Sequence, residues 1–113
     1  MVVDDEALLE AMGNDEETVQ AVVGTFLRAL DAYESELKTL VARGQSNEVL
    51  EVAHKLKGAL LNLRAPQATQ AAAALEHAGK GGRSNEFPGL ASVLSLRMAE
   101  VRRHFEMRTT QAF

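Results

Sequence analysis

The sequence predicts an all-α protein: an antiparallel up-and-down four-helix bundle with a short additional N-terminal helix, folded as one domain over residues 1–113. Three observations lead there. Apolar residues recur at i, i+3, i+4 and i+7 through most of the chain, the spacing that gathers them on one face of an α-helix. No stretch alternates apolar and polar residues for long enough to form a strand. Glycine and proline interrupt the periodic runs at Gly13, Gly44, Pro66 and Gly79 to Gly82, so the connections are short and successive helices run antiparallel.

The first helix is predicted from Asp4 to Met12, with Leu8, Leu9 and Met12 on one side and acids in its first turn, where the helix dipole favours them. Gly13 ends it, and the helix serves as a lid or side brace. Asn14 with Glu17 has capping-box spacing and opens the longest periodic segment, which runs to about Arg43 on a stripe of Val19, Val22, Val23, Phe26, Leu27, Leu30, Tyr33, Leu37, Leu40 and Val41. Arg43 and Gly44 form a suitable helix end. Ser46 is then expected to cap a helix reaching Leu63, which stops before Pro66 because proline disfavours a helical residue ahead of it. The alanine-rich run from Gln67 to Ala78 predicts a helix that approaches its neighbour closely through Ala68, Ala71, Ala72 and Leu75. Gly79-Lys80-Gly81-Gly82 is expected to end it in a flexible loop. A last helix from about Ser84 or Pro88 carries Leu90, Val93, Leu94, Met98, Val101 and Phe105 and fades into the polar tail Thr109-Thr110-Gln111.

The run from Ser46 to Leu63 holds the candidate functional residues. Val49, Val52, Ala53, Leu56, Ala59, Leu60 and Leu63 form its buried stripe, and His54 falls on roughly the opposite side, toward solvent or a partner. Gly58 shares the side of His54, where a mid-helix glycine costs about 1 kcal/mol relative to alanine and contributes no packing. Lys57, three residues on, can curl toward the imidazole. Leu50 and Leu61 flank His54 on the outer side, as bundle residues or as an apolar rim for docking. Positive charge and absence of bulk suit a phosphoryl group.

Composition narrows the alternatives. There is no cysteine, which excludes disulfides and thiolate metal sites. His54, His77 and His104 show no metal-ligand spacing, so no metal is expected on this chain. A net charge of −4 and few aromatic residues argue against a nucleic-acid surface. No apolar run approaches the roughly 20 residues that span a bilayer. The acidic start lacks the features of a signal peptide, and a cytoplasmic location is the expectation.

His54-Lys55-Leu56-Lys57-Gly58-Ala59, with a long helical segment before it and Leu75-Glu76 after it, resembles the His-x-Leu-Lys-Gly-(Ala/Ser) signature of histidine-containing phosphotransfer (HPt) domains. The resemblance covers essentially the whole chain. It implies a four-helix bundle that accepts a phosphoryl group from the aspartate of one receiver domain and passes it to another. By matching positions His54 is the phosphoacceptor, Lys57 the phosphate-stabilising cation and Gly58 the gap that admits the partner, with Leu50, Lys55 and Leu61 as docking residues. The family usually has a second small residue after the Gly-(Ala/Ser) pair and a glycine ten residues after the histidine; here those positions hold Leu60 and Arg64.

A neutral imidazole is a competent nucleophile near pH 7, since histidine ordinarily titrates at about 6.5. The chain has no glycine-rich phosphate loop and no Walker pattern. It is expected to bind no cofactor, to be a carrier rather than an enzyme, and to rely on response-regulator receiver domains, or a hybrid sensor histidine kinase, for the aspartate and Mg²⁺. Of the other candidates, His77 is expected to favour the carbonyls at its helix end, Glu76 to be structural or solvated, and His104 to lie on a solvated face. The alternative function is a helical-bundle adapter without phosphotransfer, and acid-labile phosphate on the chain separates the two.

Overall fold

Four of the five helices end in the same backbone device, and these ends fix where the functional helices start and stop. The computed structural model describes residues 1–111: α1 (Asp5–Ala11), α2 (Glu16–Arg43), α3 (Ser46–Asn62), α4 (Pro66–Lys80), a 3-10 turn (Ser84–Glu86) and α5 (Phe87–Gln111). After α1, α2, α3 and α4 the chain turns back through a residue with positive φ, at Gly13, Gly44, Arg64 and Gly82 respectively. In each case the next N–H reaches five residues back to a helix carbonyl: Asn14 to Leu9, Gln45 to Leu40, Ala65 to Leu60 and Arg83 to Ala78. This closure satisfies carbonyls that the helix itself leaves unpaired. Three of the four positions are glycine, which adopts positive φ without strain. Arg64, with φ 56°, makes the same turn without a glycine.

The four long helices form a square in which α2 and α4 each lie between α3 and α5, and α3 and α4 are in the most extensive contact. The bundle measures 44 × 21 × 21 Å. One apolar cluster fills it, and every residue of the α3 stripe from Val49 to Leu63 is buried. Leu60, at a position where the resemblance led to a small residue, is fully buried, and its carbonyl accepts from the Ala65 N–H in the turn that closes α3. α1 crosses the end of the bundle at the α3–α4 turn. There the Asp4 N–H donates to the Arg64 carbonyl at 2.7 Å, and Leu8 is buried.

Several local expectations are corrected. Asn14 has φ 60° and cannot cap α2; Asp15 does, its carboxylate accepting from the Glu17 N–H and the Thr18 hydroxyl. Ser46 is the first residue of α3 rather than its cap, and Gln45 holds the cap position without a side-chain bond. α4 continues through Gly79 to Lys80, so the loop is only Gly81 to Arg83. α5 runs to Gln111 instead of fading into a tail. Phe87 anchors the start of α5 in the core, whereas Val93 is 48% exposed. His104 is not on a solvated face: Asp5 accepts from its Nε2 at 2.8 Å, and Arg108 joins Asp5 and Glu16, tying α5 to α1 and α2. No helix among the described residues is long and apolar enough to cross a membrane.

Candidate functional site

The apolar stripe of α3 turns His54 outward, and its side chain is 69% exposed. The ring is nevertheless held. Nδ1 lies 2.6 Å from Oε2 of Glu76 on α4, while the Lys57 ammonium donates to Oε1 of the same carboxylate at 2.9 Å. Among the described residues Glu76 is the one charged residue that is buried, 7% exposed. The hydrogen bond from Lys57 holds its carboxyl below the ordinary 4.5; burial pushes the other way, and the bond with His54 adds to the lowering. Glu76 is thus an ionised acceptor. A carboxylate has no proton to donate, so the hydrogen between the two groups belongs to Nδ1. That assigns the neutral ring the tautomer with its lone pair on Nε2, the nitrogen that Glu76 leaves unbound.

The packing of α3 against α4 brings these groups within bonding distance. Ala53 on α3 and Ala68 and Ala72 on α4 are buried, and Gly79 lies directly against the α3 backbone. A Cβ at Gly79 would stand 3.0 Å from the Leu50 Cβ and 3.1 Å from its Cα, so only glycine lets the backbones meet this closely. Gly79 therefore belongs to the contact, one turn beyond Glu76, and does not end the helix.

The structure gathers some of the sequence candidates and separates others. His54 and Lys57 converge on Glu76. Gly58 is open: a Cβ there would meet nothing within 4 Å. Lys57 has a different partner from the one expected, because its ammonium is directed to Glu76. Leu50 is half-buried, with its backbone against Gly79, and shares a hollow beside the imidazole with Glu51, His54, Lys55, Glu76 and Lys80. The Lys55 ammonium lies 5.9 Å from the centre of the Tyr33 ring. Leu61 is 50% exposed and borders a separate hollow at the α3–α4 turn with Arg64, Pro66 and Gln70. His77 is exposed near the end of α4. Among the described residues no cluster of His, Asp and Glu could hold a metal ion.

Glu76 is the site residue that sequence reasoning undervalued. Its signal was a carboxylate next to Leu75 on a face otherwise made of alanine, where an acid has no reason to be unless something pairs with it.

The sequence matches the Hpt domain family over residues 21–104. In fold the chain is similar to the crystal structure of histidine-containing phosphotransfer protein B (HptB) from Pseudomonas aeruginosa PAO1. The TM-score is 0.90 at 21% identity, over 97% of this chain and 96% of that one. No curated protein matches it. Because the Hpt match spans α2 to α5 nearly end to end and takes in His54, Lys57, Gly58 and Glu76, the chain belongs to the Hpt domain family.

Proposed function

We propose that His54 is the residue on which this Hpt domain carries its phosphoryl group, and that Nε2 is the atom that forms the bond. Hpt domains are phosphotransfer carriers that work with response-regulator receiver domains in phosphorelays. The observation that carries the assignment is the 2.6 Å contact between Nδ1 and the buried Glu76 carboxylate, which orients the ring with Nε2 toward solvent.

The chemistry follows from that contact. The Nε2 lone pair attacks the phosphorus of a receiver's aspartyl phosphate. The N–P bond forms as the P–O bond breaks, and its electron pair leaves on the receiver's carboxylate. The ring keeps its Nδ1 proton and becomes a phosphorylated imidazolium, whose positive charge Glu76 faces; a carboxylate behind a histidine plays this orienting and charge-stabilising part in hydrolytic triads. Return transfer to a second receiver reverses the step. Lys57 acts through Glu76, keeping it ionised and in place. No phosphate loop or metal cluster is needed on the carrier, since the receiver supplies the aspartate and Mg²⁺.

Gly58 leaves room for the receiver's loop, and Leu61, exposed one turn further along α3, offers an apolar contact. We place Leu50 and Lys55 at the edge of the same face. We propose one Hpt domain over residues 1–113, working in the cytoplasm with receivers or a hybrid sensor kinase.

The test is labelling from a panel of phosphorylated receivers. Wild-type protein should take acid-labile phosphate, His54→Gln should take none, and ATP alone should give no label. Label persisting in His54→Gln, or mapping to His77 or His104, overturns the assignment. A chain that binds receivers but never takes label is an adapter.

A further inference from the structure

We propose that Lys80, at the end of α4, is the cation that faces the phosphoryl group on His54. This rests on the function proposed above and names a residue that it does not use. Three observations converge on it.

The first is charge balance. Lys57 stands one helical turn from His54, but its ammonium is hydrogen-bonded to Glu76, and the two cancel. A phosphoryl group on Nε2 brings up to two further negative charges. The hollow beside His54 is lined by Leu50, Glu51, Lys55, Glu76 and Lys80, so Lys55 and Lys80 are the cations available to meet them. Lys55 already lies over the Tyr33 ring. Lys80 is exposed and has no ion-pair partner among the described residues.

The second is rigidity of placement. Lys80 follows Gly79 directly, and Gly79 is pinned against the Leu50 backbone one turn before His54. The base of the Lys80 side chain is therefore held at the rim of the hollow, and only its flexible stem need move.

The third is the helix end itself. Lys80 is the last residue of α4, where the carbonyls point outward and give the helix terminus partial negative charge. A dianion beside a helix C-terminus is disfavoured unless a cation stands between them. Lys80 is at that helix end and lines the hollow beside His54, and Glu51 on the same hollow makes the need greater.

The test uses the full chain phosphorylated in two ways, by a phosphorylated receiver and by phosphoramidate, a small phosphoryl donor that needs no protein partner. The ³¹P resonance of phospho-His54 is assigned by its loss in His54→Gln and titrated with pH. Removing an exposed cation beside the phosphoryl group should raise its titration midpoint in Lys80→Gln by about 0.5 pH unit. Lys80→Arg should match wild type, Lys55→Gln should leave the midpoint in place, and high salt should erase the difference. The same loss should lower the equilibrium share of phosphate on His54, against the receiver, by about threefold in Lys80→Gln.

A wild-type midpoint in Lys80→Gln overturns the proposal, as does a shift that appears in Lys55→Gln instead. If phosphoramidate labels His54 but no receiver does, the relay function fails while the titration still decides on Lys80. If His54 takes phosphate from neither donor, both readings fall.

Discussion

Adding one methyl group at Gly79 tests whether the spacing of α3 and α4 holds the site together. A Cβ there would lie 3.0 Å from Cβ, 3.1 Å from Cα and 3.2 Å from N of Leu50, against an ordinary contact of 3.4 Å or more. The clash is a few tenths of an ångström, and two of the three atoms are helix backbone, so no rotamer change relieves it. Forcing a methylene into such a contact costs about 1–3 kcal/mol, while replacing a helical glycine by alanine returns about 1 kcal/mol. Gly79→Ala should therefore lose about 1 kcal/mol net. Gly58→Ala is the internal control, because its Cβ meets nothing within 4 Å. It should gain about 1 kcal/mol, which separates the two variants by about 2 kcal/mol in urea unfolding at equal slope. The displacement of α4 should also loosen Glu76 from His54, read as a mixed His54 tautomer in ¹⁵N spectra of Gly79→Ala and a single one in Gly58→Ala. A Gly79→Ala protein as stable as wild type, with the tautomer unchanged, would refute the reasoning.

Two further outcomes rest on single residues. Glu76→Gln keeps the shape but removes the negative charge and one of the two acceptor oxygens, so His54 and Lys57 cannot both keep their bonds, and it should cost about 2 kcal/mol at pH 7. The folded-state carboxyl is held below 4.5, so its stabilisation is fully present above that value and is lost as pH falls through the depressed one. The stability difference between wild type and Glu76→Gln should accordingly shrink in acid; a difference that stays constant with pH contradicts the ion-pair account. Arg64→Gly should stabilise the fold by up to about 1 kcal/mol, because positive φ is strained for arginine and free for glycine, less the glycine's larger unfolded-state entropy. Its thermal midpoint checks this, and a lower midpoint would mean that the exposed Arg64 side chain contributes more than the turn costs.

Much of the fold was legible because helical information is local. The stripe of α3 can be read within two turns of chain, and every member from Val49 to Leu63 is buried. The outward turn of His54 and the open face at Gly58 follow from the same periodicity. Helix starts were harder to read, because Asn14 and Asp15, or Gln45 and Ser46, are adjacent residues, and only the backbone path decides which one lies outside the helix. Val93 sat in a plausible apolar run, but α5 contacts α2 and α4 over only part of its circumference, and Val93 faces away.

The sequence by itself determined that the chain is helical, where its helices break, and which histidine stands on an open face with a small residue beside it. Only the tertiary structure decided what that histidine is bonded to. Glu76 lies 22 residues from His54, and no periodicity within either helix states that their side chains meet. The meeting depends on how closely two backbones approach, and Gly79 against Leu50 is where that approach is tightest. A side chain reaches a fixed length from its helix. Whether a carboxylate on α4 touches an imidazole on α3 is therefore decided by packing between segments, which a single segment's pattern does not carry.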